Sequence, residues 1–353
     1  MKKFEYTIRF NTPAFLGNAE QNGQWRTPPI KHALREWWRV AYAADHAFPV
    51  SLADMRRDEA LLFGHAWLEN DTFQRDGRTV TTAARKSEIR IRLSSWAAGK
   101  LTSWNEMDSV RVTHPEVKSP VGSQLYLGYG PLKFANGTAL KGNAAIQAGE
   151  SATLSLAVPD EHAARIRQAL TLMDRYGTLG GRSRNGWGSF SLTPLGNTPS
   201  LGGEVPLRPI SDALRLDWPH AIGKDAKPLI WQTAPCADWK ALMKQLAIIK
   251  IGLRTQFKFT FGKKASQPEQ RHWLSYPVTN HSVGPWGKNA RLPNSLRFKV
   301  RPTADGKLVG VIFHVPCKPP PAFAPVPATL DTVWKRVHAF LDAPAQQLTR
   351  IPE

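Results

Sequence analysis

Between residues 175 and 190 the chain reads RYGTLGGRSRNGWGSF, with five glycines and three arginines in sixteen positions. Glycine lets a backbone take positive φ and lets another backbone approach closely. Arginine presents a planar fork of donors that matches phosphate. The preceding segment, residues 161–177, patterns as a helix, and residues 186–195, GWGSFSLTPL, pattern as a strand. A helix must therefore run into a flexible, cationic loop that delivers a strand, and that loop has the composition of a clasp for a polyanion.

The whole chain leans the same way. Lys and Arg total 47 against 28 Asp and Glu, a formal charge of +19 over 353 residues, which favours a polyanionic partner such as nucleic acid. With 42% hydrophobic residues the chain is globular, not a disordered basic tail. No apolar run approaches the length of a membrane span, and MKKFEYTIRF alternates as a strand instead of reading as a signal peptide. No membrane partner is expected, and the reading is cytoplasmic. Cys236 and Cys317 stand far apart without partners at metal spacing, so neither a disulfide framework nor a zinc site is expected.

Along the chain, residues 2–10 read as a first strand and Pro28 and Pro29 open a helix. Over residues 30–44, Ile30, Leu34, Trp37 and Ala41 share one face, and Lys31, Arg35, Trp38, Arg39 and Tyr42 form a neighbouring basic and aromatic stripe. Alternation near residues 90–93 gives a strand, and residues 94–120 are an irregular excursion. SQLYLGYGPLKF and SATLSLAVP read as strands. The order β-α-β, excursion, β-β-α-β is close to ferredoxin-like. Residues 196–209 have the Gly and Pro content of a linker. After it come a strand near ALRLDW, a helix over 237–254, strands SLRFKVRP and LVGVIFHVP, a proline-rich spacer over 316–327 and a last amphipathic helix. The expected division is a first domain over 1–195, a linker over 196–209, a second domain over 210–316, and a spacer with C-terminal helix over 317–353.

Catalytic motifs are sparse. G-x-x-x-x-G-K-[ST], G-x-S-x-G and H-E-x-x-H are all missing, and Asp45-His46 is in the wrong order for a metal nuclease pair. No cofactor or metal is expected. Basic and aromatic segments are plentiful by comparison. Lys258, Lys263, Lys264, Arg271, Lys288 and Arg291 lie beside Phe259, Trp273 and Trp286 in the second half. Cations track a phosphate backbone while aromatic faces stack unpaired bases, so these segments suggest a single-stranded track crossing both halves.

The glycine-rich loop between helix and strand resembles the signature of the RAMP superfamily of CRISPR-Cas systems. FLGNAEQNGQWRTPPIKHALREWWR, EALLFG, YLGYG and GRSRNGWGSF follow in the order seen in the first-subunit family of the Cmr (type III-B) effector complexes. The resemblance spans roughly residues 4–192 and extends less distinctly to RLPNSLRFKV. It implies α+β architecture with tandem ferredoxin-like (RRM-like) domains, inserted hairpins, and a non-catalytic place at one end of a guide-RNA complex. Guide RNA, target RNA and other Cas subunits are the implied partners. The expected RNA-binding set is Arg26, Lys31, Arg35, Trp38, Arg39, Gly180, Gly181, Arg182, Arg184, Asn185, Gly186 and Trp187, extended by Lys263, Lys264, Trp286, Lys288 and Arg291. His32 and Glu36 depart from the small or apolar residues the resemblance leads one to expect. The competing reading is a RAMP ribonuclease, which would use His32 to process repeat RNA or Asp45 or Asp54 to cut target RNA. A general RRM-like chaperone has less support, because no RNP1-type strand motif occurs.

Overall fold

The computed structural model describes residues 1–48, 51–66, 72–75, 77–81, 84–105, 107, 110–287 and 289–352. The fold mixes α and β elements around two antiparallel four-stranded sheets.

The first sheet contains β1 (Lys2–Phe10), β2 (Arg90–Leu93), β3 (Ser151–Val158) and β4 (Phe190–Pro194) in the order β4-β1-β3-β2. In β1, Phe4, Tyr6, Ile8 and Phe10 are buried while the intervening residues face outward or sit at the rim, as period-two patterning requires. Helices α1 (Thr27–Asp45) and α4 (Ala163–Tyr176) cover the inner face. α1 begins where Pro28 and Pro29 place it, and its expected apolar face of Ile30, Leu34, Trp37 and Ala41 is buried. Between them, α2 (Leu52–Phe63) packs on α1.

SQLYLGYGPLKF, expected as a strand, instead begins with a helix, α3 (Ser123–Gly128), before a hairpin of Leu132–Phe134 with Thr138–Leu140. Gln124 accounts for the difference. It accepts from Trp104 Nε1 at 2.9 Å and donates to Met107 O at 2.7 Å, tying this helix to the excursion. Those contacts are long-range and outweigh local strand preference.

The second sheet contains β5 (Ile230–Thr233), β6 (Leu296–Pro302), β7 (Leu308–His314) and β8 (Leu348–Arg350), ordered β6-β7-β5-β8. Helices α5 (Trp239–Thr255) and α6 (Pro327–Asp342) pack on one face. Asp238 caps α5, accepting from Ala241 N at 2.8 Å. The strand expected at ALRLDW is instead a short helix, Ile210–Ala213, and a turn; the strand forms later, at Ile230–Thr233. Residues 317–353, expected as spacer and helix, supply α6 and β8 to this sheet. Sequence alternation alone gives no sign of β8, because three residues are too few to show a period.

The other face of this sheet lies on α1 and α4. Val309, Val311, Phe313 and Val315 join the core of the first sheet, and Phe313 lies 4.9 Å from Tyr176 and 6.1 Å from Trp37, ring to ring. The layers thus run sheet, helices, sheet, helices. β6 is covered on both sides, so its charged residues Arg297 and Lys299 are 6% and 0% exposed. Lys299 Nζ donates to Gly177 O at 2.5 Å and Phe190 O at 2.6 Å, at the end of α4 and the start of β4. Burial pushes the Lys299 ammonium down to about 7, with Asp174 pulling the other way.

Because that value lies below the ordinary 10.5, the unfolded chain binds more protons than the folded one between pH 7 and 10. Stability contributed through Lys299 therefore rises with pH across this window and is flat below it. Lys299→Met is expected to remove that rise, roughly 3 kcal/mol between pH 7 and 10. Urea unfolding of both proteins at several pH values measures it, and parallel pH curves would refute it.

Candidate nucleic-acid interface

The glycine-rich loop is strapped to the segment that follows β1. Gly181 N donates to Phe15 O at 3.0 Å, Gly188 N to Pro13 O at 2.8 Å, and Thr12 Oγ1 to Gly186 O at 2.8 Å. Leu179 N closes the base on Gly188 O at 2.9 Å. Gly180 and Gly188 have φ of 91° and 65°, and a Cβ on either would stand 2.6 Å from Phe15 O or 1.9 Å from Leu179 O. These two positions require glycine for close approach as well as for dihedral angle.

The far side of the loop is stitched to the second sheet. Phe298 N donates to Arg184 O at 3.1 Å, and Asn185 bridges to Phe298. Ser189 Oγ accepts from Val300 N at 2.8 Å. The loop is thus a fixed seam between the two sheets.

Its two central arginines differ in their partners. Arg182 sits at φ 55° and its backbone oxygen accepts from Asn185 N at 2.9 Å; the residue is exposed overall, its guanidinium has no hydrogen-bond or ion-pair partner among the described residues, and partial burial pushes it below its ordinary value. Arg184 is half-buried; its Nη1 donates to Asn294 O at 3.2 Å, and burial pushes its guanidinium down to about 10, with Arg297 adding to the depression and Glu36 opposing it. Arg297 Nη2 meets Glu36 Oε1 at 2.7 Å. Burial opposes the charge on Glu36, but Arg297 and Arg184 outweigh it and hold the carboxyl below its usual range. Glu36, anomalous in the sequence, is the first-helix half of an ion pair between the two sheets.

Several expected contact residues are interior. Trp38 is 1% exposed, tilted against Tyr42 at 4.8 Å between ring centres and edge-on to Phe63, because α2 covers that side of α1. Trp187 is fully buried among Phe15, Trp104 and Trp239. Asn185 and Gly186 are buried beneath the loop. Trp286 is half-buried, packs on Trp273, Tyr276 and Phe323, and donates to Phe323 O at 3.2 Å. None of these rings presents a free face to a base.

The basic stripe on α1 is partly neutralised. Arg35 Nε and Arg39 Nη2 donate to Glu59 Oε1 at 2.7 and 2.9 Å, and Glu59 is 3% exposed. Lys31 remains half-exposed beside Arg35. Arg26 Nη1 donates to Gly17 O at 2.5 Å, two residues beyond the Phe15 carbonyl that anchors the loop. The strap 11–17 is thereby bonded both to the glycine-rich loop and to Arg26, the residue before α1. Gly180 and Gly181 lie at the outer turn. Lys263, Lys264 and Arg291 are exposed on other segments, Lys264 in a short pairing with Ser282, while Lys288 lies outside the described residues. Of the acidic candidates, Asp45 is held by Arg165 Nε at 2.6 Å and Asp54 stands in the first turn of α2. His32 is exposed, with its charge acting on Glu36. Among the described residues no group of three His, Cys, Asp or Glu is placed to hold a metal, and no helix is long and apolar enough to cross a membrane.

This is a layered α/β protein organised around a basic glycine-rich seam. The chain belongs to the RAMP superfamily, which matches residues 7–191. No curated protein matches it. Among solved structures it is similar to Cmr1 from Pyrococcus furiosus in its apo form, at 15% identity, covering 100% of this chain and 99% of that one, with a TM-score of 0.46. It is also similar to a chain of the type III-B Cmr-β complex bound to cognate target RNA (9% identity, 95% and 99% covered, TM-score 0.47). A type IV-B CRISPR complex chain is similar over 59% of this chain and 95% of its own, at 16% identity and a TM-score of 0.32.

The two arginines are expected to separate on mutation. Arg184→Ala should cost about 1–2 kcal/mol of stability by uncovering Glu36 and the Asn294 carbonyl. Arg182→Gly suits the positive φ and should stay within about 0.5 kcal/mol of the parent. Chemical denaturation of both variants distinguishes them, and equal losses would contradict the assignment.

Proposed function

We propose that the chain is a non-catalytic, RNA-binding structural subunit of a type III-like CRISPR ribonucleoprotein effector. It engages guide RNA, or target RNA paired with it, at one end of the assembly beside other Cas subunits. Both sheets arise from β-α-β-β-α-β segments with the same internal strand order, which supports a tandem ferredoxin-like architecture. The observation that carries the functional reading is Arg182. It is exposed, with its guanidinium unpartnered among the described residues, on a loop pinned to both sheets, in a RAMP chain of net charge +19. A rigid mount holds such a cation in place before the phosphate arrives, so little ordering entropy is lost on contact.

Its role is positioning. Arg182 neutralises phosphates along a backbone, with Lys31 on α1 as a further cation unpaired among the described residues, while Arg184, Asn185 and Trp187 hold the mount from within. His32 serves no proton transfer in this reading.

Binding to single-stranded RNA should weaken with salt along a log–log slope of about −0.7 per phosphate neutralised. Arg182→Gly should make that slope shallower by about 0.7, and His32→Ala should leave both slope and RNA integrity unchanged. Fluorescence anisotropy over a salt series, with gels of the recovered RNA, provides the test. An unaltered slope in Arg182→Gly, or cleavage abolished by His32→Ala, would overturn the proposal.

A further inference from the structure

Helix α5 carries an oddity in its buried face. Met243, Leu246 and Ala247 are fully buried, and Lys250 and Arg254 continue the same row at i+3 and i+4 spacing. A lysine in that position needs polar partners or loses its charge. Lys250 Nζ reaches Asn185 Oδ1 of the glycine-rich loop and lies 5.6 Å over the Phe298 ring. Asn185 Nδ2 in turn donates to Leu127 O at 2.6 Å, at the end of α3. Arg254 Nη1 donates to Ser275 Oγ at 2.9 Å. All of these partners are neutral.

Arg182 approaches from the loop. Its Nε and Nη2 lie 3.5 Å from where a Cβ on Gly130 would stand, so the guanidinium rests on the YLGYG turn. Its charge acts on both Lys250 and Arg254. Burial holds the Lys250 ammonium well below its ordinary range, and Arg254 and Arg182 depress it further. Among the described residues none of the three cations has a carboxylate at ion-pair distance. Of the two groups that favour the charge on Arg254, Tyr126 is a phenol and Glu116 is itself engaged by Arg271 Nη1 at 2.5 Å.

Several other buried cations have a carboxylate partner. Arg271 has Glu116, Arg297 has Glu36, and Arg350 has Asp225 and Asp342. The cluster at α5, like Lys299, has none among the described residues, and here three basic groups converge; an entering anion supplies the missing counter-charge and favours the protonated form of Lys250. Two exposed aromatic rings stand close to it in the chain. Tyr129, 65% exposed, adjoins Gly130, and Phe134, 66% exposed, lies on the hairpin that follows. Phosphate contacts beside free aromatic faces are the recognition pattern of unpaired nucleotides.

We propose that Arg182, Lys250 and Arg254 form a seat for one phosphate group of single-stranded RNA, where the glycine-rich loop meets α5, with Tyr129 as the stacking platform for an adjoining base. The inference rests on the RNA-binding reading above and assigns the second sheet's helix a direct part in it.

Two probes on the full chain test the seat: inorganic phosphate against chloride at equal ionic strength, read as a melting-temperature shift, and a labelled oligouridine, read by anisotropy over salt. Phosphate should raise the melting temperature of the parent, and Lys250→Met should lose most of that rise. The same variant should bind oligouridine about tenfold more weakly, with a slope shallower by about 0.7. Tyr129→Ala should weaken binding at least about fivefold with the slope unchanged. Lys335→Met, on the exposed face of α6 beside Asp331, controls for the loss of one charge and should change neither reading. If Lys250→Met fails to fold by circular dichroism, Arg182→Gly carries both tests from the solvent side. A phosphate shift lost in the variant while the oligouridine slope is unchanged would overturn the RNA occupant and leave a free-anion seat. A folded variant unaltered in both readings would overturn the seat itself. A parent chain that is stabilised by phosphate but binds no RNA would overturn the functional reading and support the seat.

Discussion

Strand β6 presents Arg297 and Lys299 to a layer of helices that belongs to the other sheet, and the arrangement of the molecule depends on how those two charges are satisfied. Arg297 takes Glu36 from α1 at 2.7 Å, and Lys299 takes the carbonyls that end α4 and begin β4. Removing a charge from water is costly unless its geometry is met on every side. Few relative placements of two sheets satisfy an ion pair and a two-carbonyl clamp at once. The apolar contacts of Phe313 with Trp37 and Tyr176 contribute burial, whereas the polar contacts select the register.

That register places the glycine-rich loop. Its amides and carbonyls are divided between the strap after β1 and the backbone of β6, so the loop acquires its shape only when both sheets are in place. A basic loop hanging from one domain would lose conformational entropy on meeting a ligand. Here folding has already ordered it. The departure of Glu36 from small or apolar character then makes physical sense, since it compensates Arg297 and Arg184 at the seam.

Strand and helix identities were largely legible where the period was long. The alternation of β1, the apolar face of α1, and the patterns of α5, β6 and β7 all lie close to where the sequence puts them. What failed was short or bonded at long range: α3, fixed by Gln124 to Trp104 and Met107; the strand at Ile230–Thr233; and β8, only three residues long. Among candidate contacts, composition located the loop but not the direction in which each side chain points. Trp38 and Trp187 sit beside arginines in sequence, yet helix α2 and the aromatic cluster around Phe15 enclose them. Lys250 and Arg254 left a signal that composition counts pass over, two cations in register with Met243 and Leu246 on an apolar helix face.

The excess of 19 positive charges says that a polyanion is favoured but not where it lies. Pairing supplies the location. Arg35 and Arg39 share Glu59, Arg165 has Asp45, and Arg350 has two aspartates, so these cations serve the fold. A cation paired inside the protein must break that pair before it serves a ligand, and loses most of the gain. The useful charge is the residue of this subtraction, and around the seam it concentrates at Arg182 and the face of α5 behind it. At the seam, therefore, unpaired charge lies next to a loop pinned to both sheets, and in the proposed reading a phosphate is held there without rearranging either sheet.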